Sequence, residues 1–122
     1  MSNDVQITAI GSHDDVLEIS IRGFLDTMAA YSLQEEVHEL IGEGQYRYLI
    51  NLDELEQISS AGIGFFSGLV MELRKHHGDL VFVHIPEHVQ HVFKMTRLIE
   101  LFTVCDSVAA ALDFMDNTRQ LA

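Results

Sequence analysis

The sequence predicts a single α/β domain with a mostly parallel sheet. Short apolar runs of the kind found in strands alternate with longer segments in which apolar residues recur every three or four positions, as on one face of a helix. The connections between these segments are short, which is typical of strands and helices packed in layers. The 122 residues include 48% apolar and 21% charged residues, the composition of a folded domain. We expect one domain over residues 1–122, with residues 117–122 as a loose tail.

The sheet is expected to contain four to five strands. Apolar and polar residues alternate over residues 5–10 and 16–22, and the short connection between them predicts an antiparallel N-terminal hairpin. Apolar runs predict further strands at residues 48–52, 80–83 and 101–104. Because a helical pattern precedes each of these later strands, we expect them to pair in parallel.

About four helices are predicted. Asp26 or Thr27 is expected to cap the first helix, and the second is expected over residues 61–77. Pro86 is placed to open a third helix, and Ser107 to cap a fourth. The apolar residues expected on the inner helix faces are Leu33, Val37, Leu40, Ile41, Ile63, Phe66, Val70, Leu73, Val89, Val92, Phe93, Val108, Ala111, Leu112 and Met115. The core is also expected to take up Met95, Phe102 and Phe114.

The chain has a large negative charge, which limits the classes of partner. Nineteen Asp and Glu residues against seven Lys and Arg residues give a formal charge of −12. This charge works against binding to nucleic acids or anionic membranes and suits a partner with a basic surface. Cys105 is the only cysteine, so no internal disulfide is possible. Neither a signal peptide nor an apolar run of about 20 residues is present, and we expect a cytoplasmic protein.

Residues 50–64 carry the most specific functional signal. An apolar strand pattern ends there, an acidic loop follows, and two serines precede the helical pattern that begins at about Ala61. Ser60 is therefore expected at the N-cap of the second helix, where a hydroxyl can accept a backbone hydrogen bond. The start of a helix also favours negative charge. A serine at this place either caps the helix or carries a phosphate.

Five stretches of the chain form a recognisable pattern: Gly23-Phe24-Leu25-Asp26, Leu49-Ile50-Asn51-Leu52, Ile58-Ser59-Ser60-Ala61-Gly62-Ile63-Gly64, Phe93-Lys94-Met95-Thr96-Arg97-Leu98 and Leu101-Phe102. In these stretches the sequence resembles the STAS domain, a family named after sulfate transporters and anti-sigma factor antagonists. The resemblance covers nearly the whole chain and includes no transporter segment, so the stand-alone bacterial antagonists are the nearer comparison.

The resemblance implies a phosphorylation site. In that family a serine kinase, itself the anti-sigma factor, phosphorylates the serine two positions before the glycine at the start of the helix. Counting back from Gly62 assigns this role to Ser60, with Ser59 as the alternative acceptor. Many members have an aspartate before the acceptor and a serine or threonine after it, whereas this chain has Ser59 and Ala61.

The resemblance also implies a partner and no catalysis. The unmodified protein is expected to bind a serine-kinase anti-sigma factor, to be released when Ser60 is phosphorylated, and to be restored by a serine phosphatase. The protein would have no cofactor, no metal and no enzymatic activity of its own. The residues expected to contact the partner are Leu25, Asp26, Thr27, Asp53, Ser59, Ser60, Ala61, Gly62 and Ile63.

The alternative function is a sensor for a small ligand or nucleotide. Such a sensor would use the N-terminus of the 61–77 helix as an anion site. The glycines at 62, 64 and 68 do not have the spacing of a dinucleotide-binding loop. Ser60 also lacks the preceding glycine that a hydrolase nucleophile elbow needs.

Seven histidines raise the question of a metal site. His84, His88 and His91 form the best-spaced group, but no Cys or carboxylate with clear ligand spacing completes it. We expect these histidines to be solvated surface residues.

Overall fold

The structure, a computed structural model, describes residues 3–121, and side chains as far as residue 117. Six strands and four α-helices follow one another in a mixed α/β order. They are β1 (Asn3–Ile10), β2 (Val16–Leu25), α1 (Thr27–Gly42), β3 (Arg47–Asn51), β4 (Leu55–Ile58), α2 (Ser60–Lys75), β5 (Asp79–Val83), α3 (Glu87–Met95), β6 (Thr103–Cys105) and α4 (Val108–Leu121). One 3-10 turn, Leu98–Glu100, follows α3.

The sheet has the predicted combination of a hairpin and parallel strands. Its order is β1-β2-β3-β5-β6. β1 pairs antiparallel with β2 along its whole length, from Asn3 opposite Gly23 to Ile10 opposite Val16. The pairs β2–β3, β3–β5 and β5–β6 are all parallel. The carboxyl ends of the parallel strands therefore meet at one end of the domain, the carboxyl end, and their starts meet at the other, the amino end.

The sequence prediction missed one strand. Residues 55–58 were expected to belong to an acidic loop, but they form β4, which pairs in parallel with the end of β2 beside a bulge at Gly23 and Phe24. The backbone N–H of Gly23 also donates to the carbonyl of Glu54, 3.0 Å away. β4 has only four residues, two of them exposed, so it lacks the apolar run that marked the other strands. The sheet thus has six strands instead of the four to five expected.

The two faces of the sheet are covered differently. Helices α1, α2 and α3 pack on one face over a large apolar core, in which the rings of Phe66, Phe82, Phe93 and Phe102 contact one another. Among the described helices, only α4 packs on the other face, over a smaller cluster from the start of β2 and from β3 and β5. The residues of this second cluster are Val16, Leu49, Val81, Val83, Ala111 and Met115. On the same face, β2 continues with polar Glu18, Ser20 and Arg22, which no helix covers among the described residues.

Four details differ from the sequence prediction. The second helix spans Ser60–Lys75 instead of 61–77, and its N-cap is Ser59, not Ser60. Met95, expected in the core, is 71% exposed because it is the last residue of α3. Helix α4 continues to Leu121, so most of the segment expected to be a loose tail is helical, while Ala122 lies outside the described residues.

Candidate functional site

The N-termini of α1 and α2 are fixed side by side at the carboxyl end of the sheet. β2 ends at Leu25, and Asp26 caps α1 by accepting a hydrogen bond from the N–H of Ala29 at 2.8 Å. The N–H of Ser59 donates to the carbonyl of Leu25 at 2.9 Å. This backbone bond ties the residue that caps α2 to the residue that precedes the cap of α1. Two helix starts, each favourable to negative charge, therefore share one surface.

The two serines of the turn have different surroundings. Ser59 is partly buried, and its Oγ accepts a hydrogen bond from the N–H of Gly62 at 3.1 Å, so it caps α2. Ser60 is the first residue of the helix and is exposed. No hydrogen bond involves its hydroxyl among the residues that the structure describes. Ser59 therefore stabilises the helix start, and the hydroxyl of Ser60 remains accessible.

Gly62 allows α2 to approach the end of β2 closely. A Cβ atom at this position would lie 2.8 Å from Cγ1 of Ile58 and 2.9 Å from Cδ2 of Leu25. Carbon atoms do not approach one another this closely without a shift of the surrounding side chains. Gly62 thus sets the distance between the Ser59–Ser60 turn and the Leu25–Asp26 turn.

The predicted contact residues divide into supporting and accessible ones. Leu25 is fully buried and Gly62 is buried, so they support the surface from below and are not available to a partner as side chains. Thr27 is exposed, and Ala61 and Ile63 are partly exposed on the first turn of α2. Together with Asp26 and Ser60 they form the accessible part of the predicted site.

Asp53 lies outside this group. It is exposed in the turn between β3 and β4, where its N–H donates to the side-chain carbonyl of Asn51 at 3.1 Å. It lines a polar hollow with Arg22 and Glu54, on the sheet face that α1 and α2 do not cover. Arg22 and Glu54 form an exposed ion pair at 3.5 Å. The structure therefore does not bring Asp53 together with the serine turn.

The family model of the STAS domain matches residues 8–111 of this chain. The chain belongs to the STAS domain family. The predicted fold class and the predicted family are both confirmed.

Relatives of this STAS domain are anti-sigma factor antagonists by name. BtrV of Bordetella bronchiseptica, named as a candidate anti-sigma factor antagonist, is 30% identical over 98 residues, which cover 80% of this chain and 84% of BtrV. The anti-sigma-B factor antagonist of Staphylococcus epidermidis is 28% identical over 93 residues, which cover 76% of this chain and 86% of that protein. Both names describe regulators.

A solved structure has the same fold. The Bacillus cell fate determinant SpoIIAA, in its phosphorylated form, superposes with a TM-score of 0.74 at 20% identity, covering 90% of this chain and 97% of SpoIIAA. At this identity the similarity supports the fold. Along the described residues of this STAS domain, no helix is both long enough and apolar enough to span a membrane.

One contact near the site was not anticipated from the sequence. The Nε2 atom of His88, near the start of α3, lies 2.6 Å from the backbone carbonyl oxygen of Glu56 on β4. This contact connects α3 to the strand that leads into the serine turn. The only signal for it in the sequence was the position of His88 after Pro86. His84 and His91 are exposed, and within residues 3–117 no three His, Cys, Asp or Glu side chains are grouped to hold a metal ion.

Proposed function

We propose that this STAS domain is an anti-sigma factor antagonist controlled by phosphorylation of Ser60. It binds a serine-kinase anti-sigma factor while Ser60 is unmodified, and it is released when Ser60 carries a phosphate. The single observation that carries the proposal is the division of roles in the serine turn. Ser59 caps the helix, which leaves the exposed hydroxyl of Ser60 available for modification without loss of the cap.

The relatives support the same reading. Two of them are named as anti-sigma factor antagonists. The fold is also that of SpoIIAA, a protein whose structure has been solved in a phosphorylated form. A phosphorylated state is thus compatible with this architecture.

The phosphoryl transfer would be carried out by the partner kinase. Oγ of Ser60 attacks the γ-phosphorus of ATP, ADP leaves, and the hydroxyl proton passes to a base of the kinase. The product carries about −1.5 to −2 charges near neutral pH. The start of α2 accommodates part of this charge through its backbone N–H groups, so the fold need not change. Hydrolysis by a separate serine phosphatase restores the hydroxyl.

Release follows from charge and desolvation at the shared surface. A partner docked over Ser60, Thr27 and Ile63 must remove water from these residues. A doubly charged phosphate beside the carboxylate of Asp26 makes that desolvation more costly and adds bulk. Binding therefore weakens although no element of the domain moves.

Mass measurement tests the acceptor. After incubation with ATP and the serine-kinase anti-sigma factor of the same genome, the intact mass should increase by one phosphate. Ser60→Ala should remain unmodified, and Ser59→Ala should still be modified. Modification of Ser60→Ala but not of Ser59→Ala would assign the phosphate to Ser59. A wild-type chain that is never modified but binds a nucleotide tightly would establish the sensor function instead.

Binding measurement tests the switch. Ser60→Asp should weaken binding to the serine-kinase anti-sigma factor by more than tenfold, about 1.4 kcal/mol. The matched control is Ser12→Asp, which adds the same charge at an exposed position in the turn between β1 and β2, at the other end of the domain. An unchanged dissociation constant for Ser60→Asp would contradict the charge mechanism.

A further inference from the structure

A groove runs between α1 and α2 and is not part of the serine turn. It has a volume of about 260 Å³. Its floor is apolar and is formed by Val37 and Ile41 from α1 and by Phe65 and Leu69 from α2. The residues at its margins are Gln34, His38, Gly64, Gly68 and Glu72. The groove therefore combines an apolar base with polar edges, as in surfaces that receive an amphipathic helix.

Two glycines keep the α2 side of the groove open. Gly64 and Gly68 are both exposed, and a Cβ added to either would meet no atom within 4 Å. Close packing inside the domain therefore does not explain these glycines, in contrast to Gly62. Glycine in the middle of a helix is less favourable than alanine. The open space that they leave lies over the apolar floor.

The groove continues directly from the phosphorylation site. Gly64 and Gly68 lie one and two turns after Ser60 along α2, about 6 and 12 Å along the helix axis. A partner that covers Ser60 and extends along α2 enters the groove at Gly64. A phosphate on Ser60 would stand at the entrance.

The surroundings of the groove are acidic. Helix α1 contains three glutamates, at positions 35, 36 and 39, and neither lysine nor arginine. Glu35 and Glu39 are exposed and form no ion pair among the described residues. On the opposite margin, Glu72 is also partly exposed, but it already pairs with Lys75 and lies beside His76, so the unpaired acidic charge is on α1. A segment with basic side chains on the side that faces α1 should therefore bind in the groove more tightly than a neutral or acidic one.

We propose that this groove binds an amphipathic helix of the kinase-type anti-sigma factor, with apolar side chains on the floor and basic side chains towards α1. The proposal rests on the proposed function, because the occupant is the partner that Ser60 controls. It adds a second contact area, which gives the partner affinity and selectivity beyond the serine turn. Tyr31, which is 56% exposed and lines the adjoining hollow with Gln34 and His38, extends this area along α1.

Filling the groove tests the proposal. Gly68→Leu places a side chain over the floor in space that is empty in the free domain, and should lower the affinity for the kinase at least tenfold. The melting temperature should stay the same or rise, because leucine favours the helix more than glycine does. The matched control is Gly42→Leu at the end of α1, where an added Cβ also meets no atom within 4 Å. The affinity of Gly42→Leu for the kinase should stay within twofold of the wild-type affinity.

A charge reversal provides an independent measurement. Glu35→Lys should weaken binding several-fold at low salt, and the difference should shrink as the salt concentration increases. A salt-independent loss, or no loss, would contradict a basic occupant.

The outcomes separate this proposal from the function on which it rests. If Ser60→Asp weakens binding and Gly68→Leu does not, docking is confined to the serine turn and the groove proposal is overturned, while the proposed function stands. If wild type fails to bind the kinase, both are overturned. Sedimentation of the free domain tests a different occupant. If wild type sediments as a dimer, and Gly68→Leu sediments as a monomer but keeps its affinity for the kinase, the occupant is a second copy of this chain and the proposal is wrong.

Discussion

The two ends of the domain are held together in different ways. At the carboxyl end, the serine turn depends on a backbone bond from Ser59 to Leu25 and on two short caps, Asp26 and Ser59. At the amino end, long side chains join distant segments. The carboxyl end can therefore exchange the exposed hydroxyl of Ser60 for another group at little cost, whereas the side chains that join segments at the amino end cannot be exchanged without loss of those contacts.

The contacts at the amino end are numerous and span the sequence. The rings of Tyr46 and His76 stack with centroids 4.4 Å apart and planes within 5° of parallel. The guanidinium of Arg74 donates to the carbonyl of Leu101 at 2.6 Å. Arg47 donates to the carbonyl of Met115 and so connects β3 to α4. This end fixes the ends of the helices, and the opposite end is left for recognition.

The largest expected effect is at Gly78, just before β5. A Cβ there would lie 2.1 Å from the carbonyl oxygen of Tyr46, a backbone atom that cannot rotate away. Gly78→Ala should therefore destabilise the domain by roughly 3 kcal/mol in denaturant unfolding. Gly68→Ala is the control with the same chemical change in open space, and it should stabilise by about 1 kcal/mol. Equal stabilities for the two variants would contradict the description of a tightly joined amino end.

The next effect is at Tyr48, inside the core. Its side chain is fully buried, and within the described residues its hydroxyl has no hydrogen-bond partner. Burial, assisted by the charge of Glu43, raises the pKa of Tyr48 from 10.0 to about 12. The folded state thus holds the proton more tightly than the unfolded state, and the free energy of unfolding should decrease between about pH 10 and pH 12.

Tyr48→Phe isolates this contribution. The variant should match or exceed wild-type stability at pH 7, because an unsatisfied buried hydroxyl is removed. Its advantage over wild type should grow by roughly 2.5 kcal/mol on moving to pH 12. If the free energy of unfolding falls equally in the two proteins between pH 10 and pH 12, a group other than Tyr48 causes the loss of stability.

The smallest effects distinguish the two serines. Ser59→Ala removes the cap of α2 and should cost about 1 kcal/mol. Ser60→Ala removes an exposed hydroxyl and should change the free energy of unfolding by less than about 0.5 kcal/mol. Thermal unfolding of both variants at neutral pH checks the order. If Ser60→Ala lowers the free energy of unfolding more than Ser59→Ala does, Ser60 and not Ser59 stabilises the start of the helix.

The long elements were predictable from the sequence because their apolar patterns are strong. The alternation in β2 and most of the inner faces of the four helices follow from residue spacing alone. In α2, however, Ile63 was expected inside and is partly exposed, while Phe65 and Leu69 are buried and were not predicted. β4 was missed because its four residues are held by pairing with β2 and by a turn, and tertiary pairing leaves no periodic signal in so short a segment. Met95 follows the helical pattern, yet α3 ends at this residue and leaves it exposed.

The sequence predicted the two serines at the start of a helix, where the structure has them, but it assigned the cap to Ser60 instead of Ser59. Adjacent serines at a helix start are equivalent by residue type, and only the backbone geometry assigns the cap to Ser59. Asp53 is near the turn in sequence, but β4 intervenes and places it in another hollow. The empty space beside Gly64 and Gly68 depends on how α1 packs beside α2, which the spacing of residues in the sequence does not reveal.

The incomplete cover of one sheet face has a consequence for local opening of the domain. Within the described part of the chain, β1 is an edge strand that pairs with β2 alone, and no helix packs over the polar side chains of β2 beside it. Its amides should therefore exchange with solvent deuterium sooner than those of β3 or β5. Because the serine turn is bonded to the end of β2 and not to β1, the edge strand can detach transiently while the geometry around Ser60 is preserved.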